Sequence, residues 1–211
     1  MRPSQAHWDA KYSLAAREAA EAPAGILAEL RPLLPTGATL DLACGRGRNA
    51  IFLAEHGRPV TAVDWSEAAL DLLEKRAQTL RLPVRRIQRI EDAQLARTGI
   101  DLVQADLESA QLGVNRYFLI VCVRYLQRSL FSQICRALRP GGMLLFETYT
   151  KAQLDFSDGP RNPAHLLDRG ELRRAFPELQ TIFYRELRAE QGIASLAARK
   201  PPGRSPRQSP E

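Results

Sequence analysis

The sequence predicts one α/β domain built on a doubly wound, mostly parallel sheet that closes with an antiparallel strand. Three observations predict it. Apolar, β-branched runs alternate with segments of helical period along most of the chain, the pattern of a parallel sheet covered on both faces. A glycine-bearing turn, DLACGRGRNA from Asp41 to Ala50, follows the first such run and opens a helix. Two strand-like runs near the end, TIFYREL and IASLAARK, are separated by a short turn around Gly192, and a tight turn joins only antiparallel strands.

Taken in order, residues 1–35 read as a helical lead-in in which Trp8 and Tyr12, four apart, share a helix face. Pro32 and Pro35 end it. Thr39–Cys44 is the first strand, and Arg48–His56 is a helix that stops at Gly57. PVTAVD, ending at Asp64, is the second strand. Ser66 N-caps the next helix, which carries acids early and bases late. Pro83 interrupts the segment that follows, and 84–97 is assigned mostly to helix, with VRRIQRI as a competing strand. IDLVQAD, 100–106, is then the third strand. FLIVCV, 118–123, suits a strand buried on both faces. A helix over 128–138 leads through RPGG into the strand MLLFETY. Residues 150–168 form a long loop and 170–176 a short helix. The tail 201–211, PPGRSPRQSPE, has nothing to bury and is expected to be disordered. The domain proper therefore spans 36–200.

Composition narrows the function. With 211 residues, 45% hydrophobic, the chain holds one ordinary core. It has no run of about 18 apolar residues and no apolar stretch in its first dozen, so a membrane span is not expected and the cytosol is. Three cysteines, an odd number without CxxC spacing, suggest neither a disulfide framework nor a zinc site, and no metal is expected. The net charge of +6 suits an anionic partner. The arginines are scattered among acids, with no basic run interleaved with aromatics, so nucleic acid is not the expected partner.

Ligands of such sheets sit beyond the C-terminal strand ends, where the glycine turn lies. Gly45 permits a turn that a side chain would forbid, and Gly47 permits close approach to the backbone. No GK[ST] follows, which argues against a nucleotide P-loop. Asp64 ends the second strand where a carboxylate can hold both ribose hydroxyls, a feature shared with NAD sites. Asp106 is placed to reach an adenine amino group. Asp41 lies just before the glycines. A pyrophosphate would repel it, whereas a cofactor bearing an ammonium and a sulfonium would favour it.

DLACGRGRNA, AVD ending at Asp64, ADL at 105–107 and LRPGG at 138–142 together resemble the class I S-adenosylmethionine-dependent methyltransferases. HWDAKY, RYLQRSLF and NPAHLLDRGELRRAF narrow the resemblance to the small bacterial tellurite-resistance-methyltransferase-like group. The resemblance implies a Rossmann-like, seven-stranded sheet with the last strand antiparallel, and S-adenosyl-L-methionine as cofactor. It implies that Gly45 and Gly47 line the methionine part, with Asp41 near its amino group, and that Ala43, Cys44 and Asn49 also bind the cofactor. Asp64 would hold the ribose, Trp65 would pack beside the adenine, Asp106 and Leu107 would meet its polar edge, and Val123 would complete the pocket. Two features depart from the pattern. Tyr117-Phe118 stands where Tyr-Asp is usual, and 81–97 is longer than the family needs.

Methyl transfer to a soft nucleophile needs positioning more than a base, so the acceptor is expected to be a small molecule, a thiol or a chalcogen or metalloid oxyanion. Arg124, Tyr125, Arg128 and Arg161 are its candidate contacts, guanidinium suiting an anion by paired hydrogen bonds; surface bracing is the alternative for each arginine. His165 in the long loop is a further candidate. Trp8 and Tyr12 either cover the site as a lid or staple the lead-in to the sheet. Three other readings stay open: a methyltransferase for nucleic acid or protein, a nicotinamide-dependent oxidoreductase, and a cofactor-binding module without catalysis. The first lacks an Asn-Pro-Pro-aromatic motif, and Asp41 and the LRPGG turn oppose the second.

Overall fold

The computed structural model describes residues 4–14 and 22–203. An eight-stranded sheet forms the centre. β1 (Thr39–Leu42), β2 (Pro59–Asp64), β3 (Val84–Ile87), β4 (Gly99–Gln104), β5 (Tyr117–Val123) and β6 (Leu138–Tyr149) run parallel. β8 (Gly192–Arg199) lies antiparallel between β6 and β7 (Gln180–Arg188). The order across the sheet is β3-β4-β2-β1-β5-β6-β8-β7. The antiparallel closing pair is as expected.

The strand count is eight, not seven. The additional strand is β3, parallel to β4 at the outer edge. This corrects the helix assigned to 84–97. After β3 only a short 3-10 turn, Ile90–Asp92, remains before β4. The physical reason lies in the two arginines. Arg85 forks onto Asp101 of β4 at 2.6 and 3.0 Å, and Arg86 reaches Asp71 and Glu74 of α4 (Glu67–Thr79) at 2.6 and 2.8 Å and also bonds Glu67. An edge strand can carry such charge, and the charge hid its alternation. The extra strand also accounts for the length of 81–97.

Alternate residues of the central strands enter two cores. Leu40, Leu42, Ile120, Cys122, Leu144 and Phe146 face the side covered by α5 (Phe131–Ala137) and α6 (Glu171–Arg174). Val60, Ala62, Leu119, Val121 and Leu145 face α2 (Gly25–Glu29), α3 (Arg48–Glu55) and α4. The helix expected over 128–138 is a 3-10 turn, Arg128–Leu130, followed by α5. LRPGG belongs to β6, which meets β5 through an irregularity between Tyr117 and Leu119. Phe118, in place of the usual aspartate, packs beside Gly37 and under the Arg139 guanidinium at 4.9 Å. α1 (Gln5–Leu14) packs on α4 and has no buried residue. The expected tail, 201–211, lies outside the described residues beyond Gly203. No helix among the described residues is long and apolar enough to cross a membrane.

Candidate active site

A cleft of about 1440 Å³ opens over the C-terminal ends of β1, β2 and β5, beneath α1. The chain leaves β1 through three left-handed residues, Ala43 (φ +53°), Gly45 (+54°) and Gly47 (+76°), and turns into α3. A Cβ on Gly45 would stand 2.8 Å from the Tyr12 hydroxyl of α1. A Cβ on Gly47 would overlap the Leu73 side chain. Gly47 thus serves the packing of the turn against α4, while Gly45 keeps the passage under α1 open.

Two acids stand at the back of this turn. Asp41 sits in β1 between Ala62 and Val121 in register, on the face covered by α3 and α4. It is 1% exposed, and its Oδ2 has no hydrogen-bond partner among the described residues. Burial, then the neighbouring Asp64, pushes its carboxyl up to about 7, against Arg48 and the Ala50 amide. Asp64 accepts from the Gly45 amide at 2.7 Å and from the Ser66 amide at 2.9 Å. Burial raises its pKa too, and those amides oppose the rise. Two buried carboxylates side by side are costly until a cation joins them. Asp64, whose oxygens keep further lone pairs, lines the cleft, whereas Asp41 and Gly47 lie behind its lining.

Of the residues expected around a cofactor, Ala43, Cys44, Gly45, Asn49, Asp64 and Trp65 line the cleft, as do Leu107 and Val123. Asn49 also ties α3 to the lead-in, accepting from the Ala24 amide at 2.9 Å. Cys44 is buried, and burial raises its thiol pKa well above the ordinary value. Asp106 does not line the cleft. Its carboxylate accepts from the Glu108 amide at 3.0 Å and so braces the turn after β4, presenting Leu107 and Glu108 instead.

On the acceptor side the candidates divide. Arg124, Tyr125 and His165 line the cleft. Arg124 has φ +58° at the end of β5, and its guanidinium has no protein partner among the described residues. Arg128 and Arg161 do not line it. Arg128 is spent on Glu171 and on the carbonyls of Ala164 and Leu166. Arg161 is spent on the carbonyls of Leu154, Phe156 and Ser157. Both are loop braces, which corrects their expected role. Two contributors went unnoticed in the sequence. Asp9 accepts from Ser66 Oγ at 2.6 Å and the Ala68 amide at 3.2 Å. Gln127 accepts from the Tyr125 hydroxyl and donates to the Leu107 carbonyl at 3.3 Å, joining the two lips of the cleft. The position of Asp9 between Trp8 and Tyr12 was the only local signal for either.

Comparison with known proteins agrees with this geometry. A methyltransferase domain family matches residues 39–142. The ubiquinone biosynthesis O-methyltransferase of Coxiella burnetii is 27% identical over 117 residues, 53% of this chain and 43% of that protein. The chain thus aligns with less than half the length of that curated relative. TehB from Haemophilus influenzae superposes with a TM-score of 0.66 at 19% identity, covering 93% of this chain and 66% of that one. An S-adenosylmethionine-dependent methyltransferase from Mesorhizobium loti gives 0.63 at 20%, covering 84% and 99%. Residues 39–142, just under half of the chain, thus match a methyltransferase domain, and the fold is shared with S-adenosylmethionine-dependent methyltransferases of known structure.

Proposed function

We propose that this protein transfers the methyl group of S-adenosylmethionine to a small anionic or readily ionised acceptor. The observation that carries the reading is the orphaned, buried Asp41 Oδ2 beside Asp64. It calls for a cation at the back of the glycine turn, and the ammonium of the cofactor answers it. Asp41 would hold that ammonium, Asp64 the ribose hydroxyls, and Trp65 and Leu107 the adenine. The cofactor supplies an electrophilic methyl: the acceptor lone pair forms the new bond to carbon while the S–CH3 bond breaks and its pair stays on sulfur. The chain contributes binding, alignment and the exclusion of water by α1, the last through Trp8 and Tyr12. Arg124, at the mouth and without a side-chain partner among the described residues, favours an acceptor with negative charge. Thiols, chalcogen or metalloid oxyanions and, by analogy with the O-methyltransferase relative, oxygen nucleophiles all fit that description.

Calorimetry with S-adenosylmethionine, S-adenosylhomocysteine and NADH tests the cofactor. Binding of the first two is expected, weakened roughly ten- to a hundredfold in Asp64→Ala, with circular dichroism verifying that the variant is folded. Binding of NADH alone would overturn the reading.

A further inference from the structure

The wall of the cleft away from Asp41 and Asp64 is made by the segment after β5 and the loop after β6. Cofactor binding leaves this wall without a task, yet it contains a loop residue whose backbone is held on both sides. His165 closes a short turn, Pro163–His165, and is half-buried where Asn162, Pro163 and Ala164 are exposed. It lines the cleft, and its ring makes no hydrogen bond or ion pair with another described residue. The backbone on both sides of it is held. Arg128 donates through Nη1 to the Ala164 carbonyl and through Nη2 to the Leu166 carbonyl, both at 3.0 Å. The same guanidinium is fixed by Glu171 at 2.6 and 3.0 Å. Asn162 caps the turn through the Ala164 amide at 3.0 Å. Leu167, buried, is tied to the end of β6 by the Tyr149 carbonyl and the Lys151 amide, both at 2.9 Å. An imidazole without a partner is thus presented to the cleft on a backbone clamped from either side. Such rigidity is what a reacting group requires and what a solvated loop does not.

We propose that His165 is the acceptor-side general base, that Arg128 is its positioning residue, and that the acceptor is a weakly acidic hydroxyl on a largely apolar molecule. The inference rests on the methyltransferase reading above and narrows its acceptor. Thiolates and oxyanions arrive ionised and need no base, whereas a hydroxyl does. Several other titratable groups of the cleft are committed elsewhere, and His7, on α1, stands edge-on to the Trp8 ring at 5.5 Å. The Tyr125 hydroxyl donates to Gln127. Asp64 holds two amides. Cys44 is raised by burial, and Lys11 lies over the Trp8 ring at 4.8 Å. The cleft volume of about 1440 Å³ exceeds the roughly 300–1,000 Å³ that a single drug-sized ligand fills. That leaves space beside the cofactor for an organic molecule, against apolar surface from Val123 and Leu126. In the step, the acceptor O–H bond breaks and the proton passes to a ring nitrogen of His165. The pair left on oxygen becomes the O–CH3 bond as the S–CH3 bond breaks and its pair stays on sulfur, and the imidazolium releases the proton to water at the cleft mouth.

The test uses the full chain saturated with S-adenosylhomocysteine and 4-nitrophenol as probe, at a pH where the free probe is mostly protonated. Calorimetry first establishes that S-adenosylhomocysteine binds; if it does not, the cofactor reading fails and the proposal falls with it. Visible absorbance then reports the ionised fraction of bound probe. Ionisation on binding is expected, reduced by about tenfold or more in His165→Gln, with S-adenosylhomocysteine affinity kept within about twofold. Arg128→Ala should reduce it as well, and Arg128→Lys, which can still reach one carbonyl, should restore part. The already ionised 4-nitrothiophenol should bind all four proteins alike. Unchanged ionisation in His165→Gln, no probe binding at millimolar concentration, or equal loss of both probes would overturn the proposal.

Discussion

Asp9 on α1 accepts a hydrogen bond from Ser66 Oγ at 2.6 Å, and this bond fastens a helix with no buried residue to the start of α4 beside Asp64. The Ala68 amide adds a second bond at 3.2 Å, so the Asp9 carboxylate also serves the positive end of α4. α1 is held over the cleft by polar contacts rather than by a core.

Removing that fastening should loosen the roof more than the fold. Asp9→Ala is expected to cost about 1 kcal/mol, comparable to a lost cap, and so roughly 2–4 °C in Tm. Dissociation of S-adenosylhomocysteine, followed by stopped-flow tryptophan fluorescence, should accelerate about fivefold, the rate factor that corresponds to about 1 kcal/mol. An unchanged dissociation rate would mean that α1 does not confine the cofactor.

Asp41 makes stability and cofactor binding depend on pH in opposite senses. Its carboxyl is raised from 3.8 to about 7 in the folded chain, and Asp64 shifts the same way. Between those values the folded state binds more protons than the unfolded state, so stability without cofactor falls as pH rises from about 4 to about 7 and the cost is complete above that. The ceiling for Asp41 is roughly 4 kcal/mol. Thermal melts should therefore show a less stable protein at pH 8 than at pH 5.5, and Asp41→Asn should flatten the difference. Affinity for S-adenosylmethionine should rise over the same interval, because the ammonium needs the ionised form, and Asp41→Asn should abolish that rise. A pH-independent affinity in the wild type would contradict the assignment of Asp41.

Gly47 allows a prediction about packing alone. Its φ of +76°, and the Leu73 side chain that already fills the place of a Cβ, make Gly47→Ala both strained and overpacked. A loss of about 1–3 kcal/mol is expected in urea denaturation. Leu73→Ala should relieve only the steric part, and the double-variant cycle measures it.

The fold was legible wherever local pattern and burial agree. β1, β2, β5 and the β7–β8 pair are apolar runs bounded by turn residues, and Ser66 is the N-cap its sequence announces, accepting from the Ala69 amide at 3.2 Å. β3 was not legible, because Arg85 and Arg86 break the apolar alternation and their partners lie on α4 and β4. The same holds for the acceptor side. Arg124 and Arg128 look alike in sequence, and only the pairing of Arg128 with Glu171, 43 residues away along the chain, separates a free guanidinium from a spent one. Asp106 looked like a ligand-binding acid after a strand, yet its carboxylate turns back to its own loop at the Glu108 amide. Partners far along the chain, or one residue too near, are what a one-dimensional reading misses.

Arg86 meets three carboxylates spaced along α4, at Glu67, Asp71 and Glu74. Because strand side chains alternate sides, sliding β3 by one residue would carry this cation to the opposite face and leave the three acids facing one another. Only one alignment of the outermost strand satisfies them. A four-residue strand at the margin of a large sheet would otherwise be the segment most prone to misassembly, and here a single arginine acts as its key.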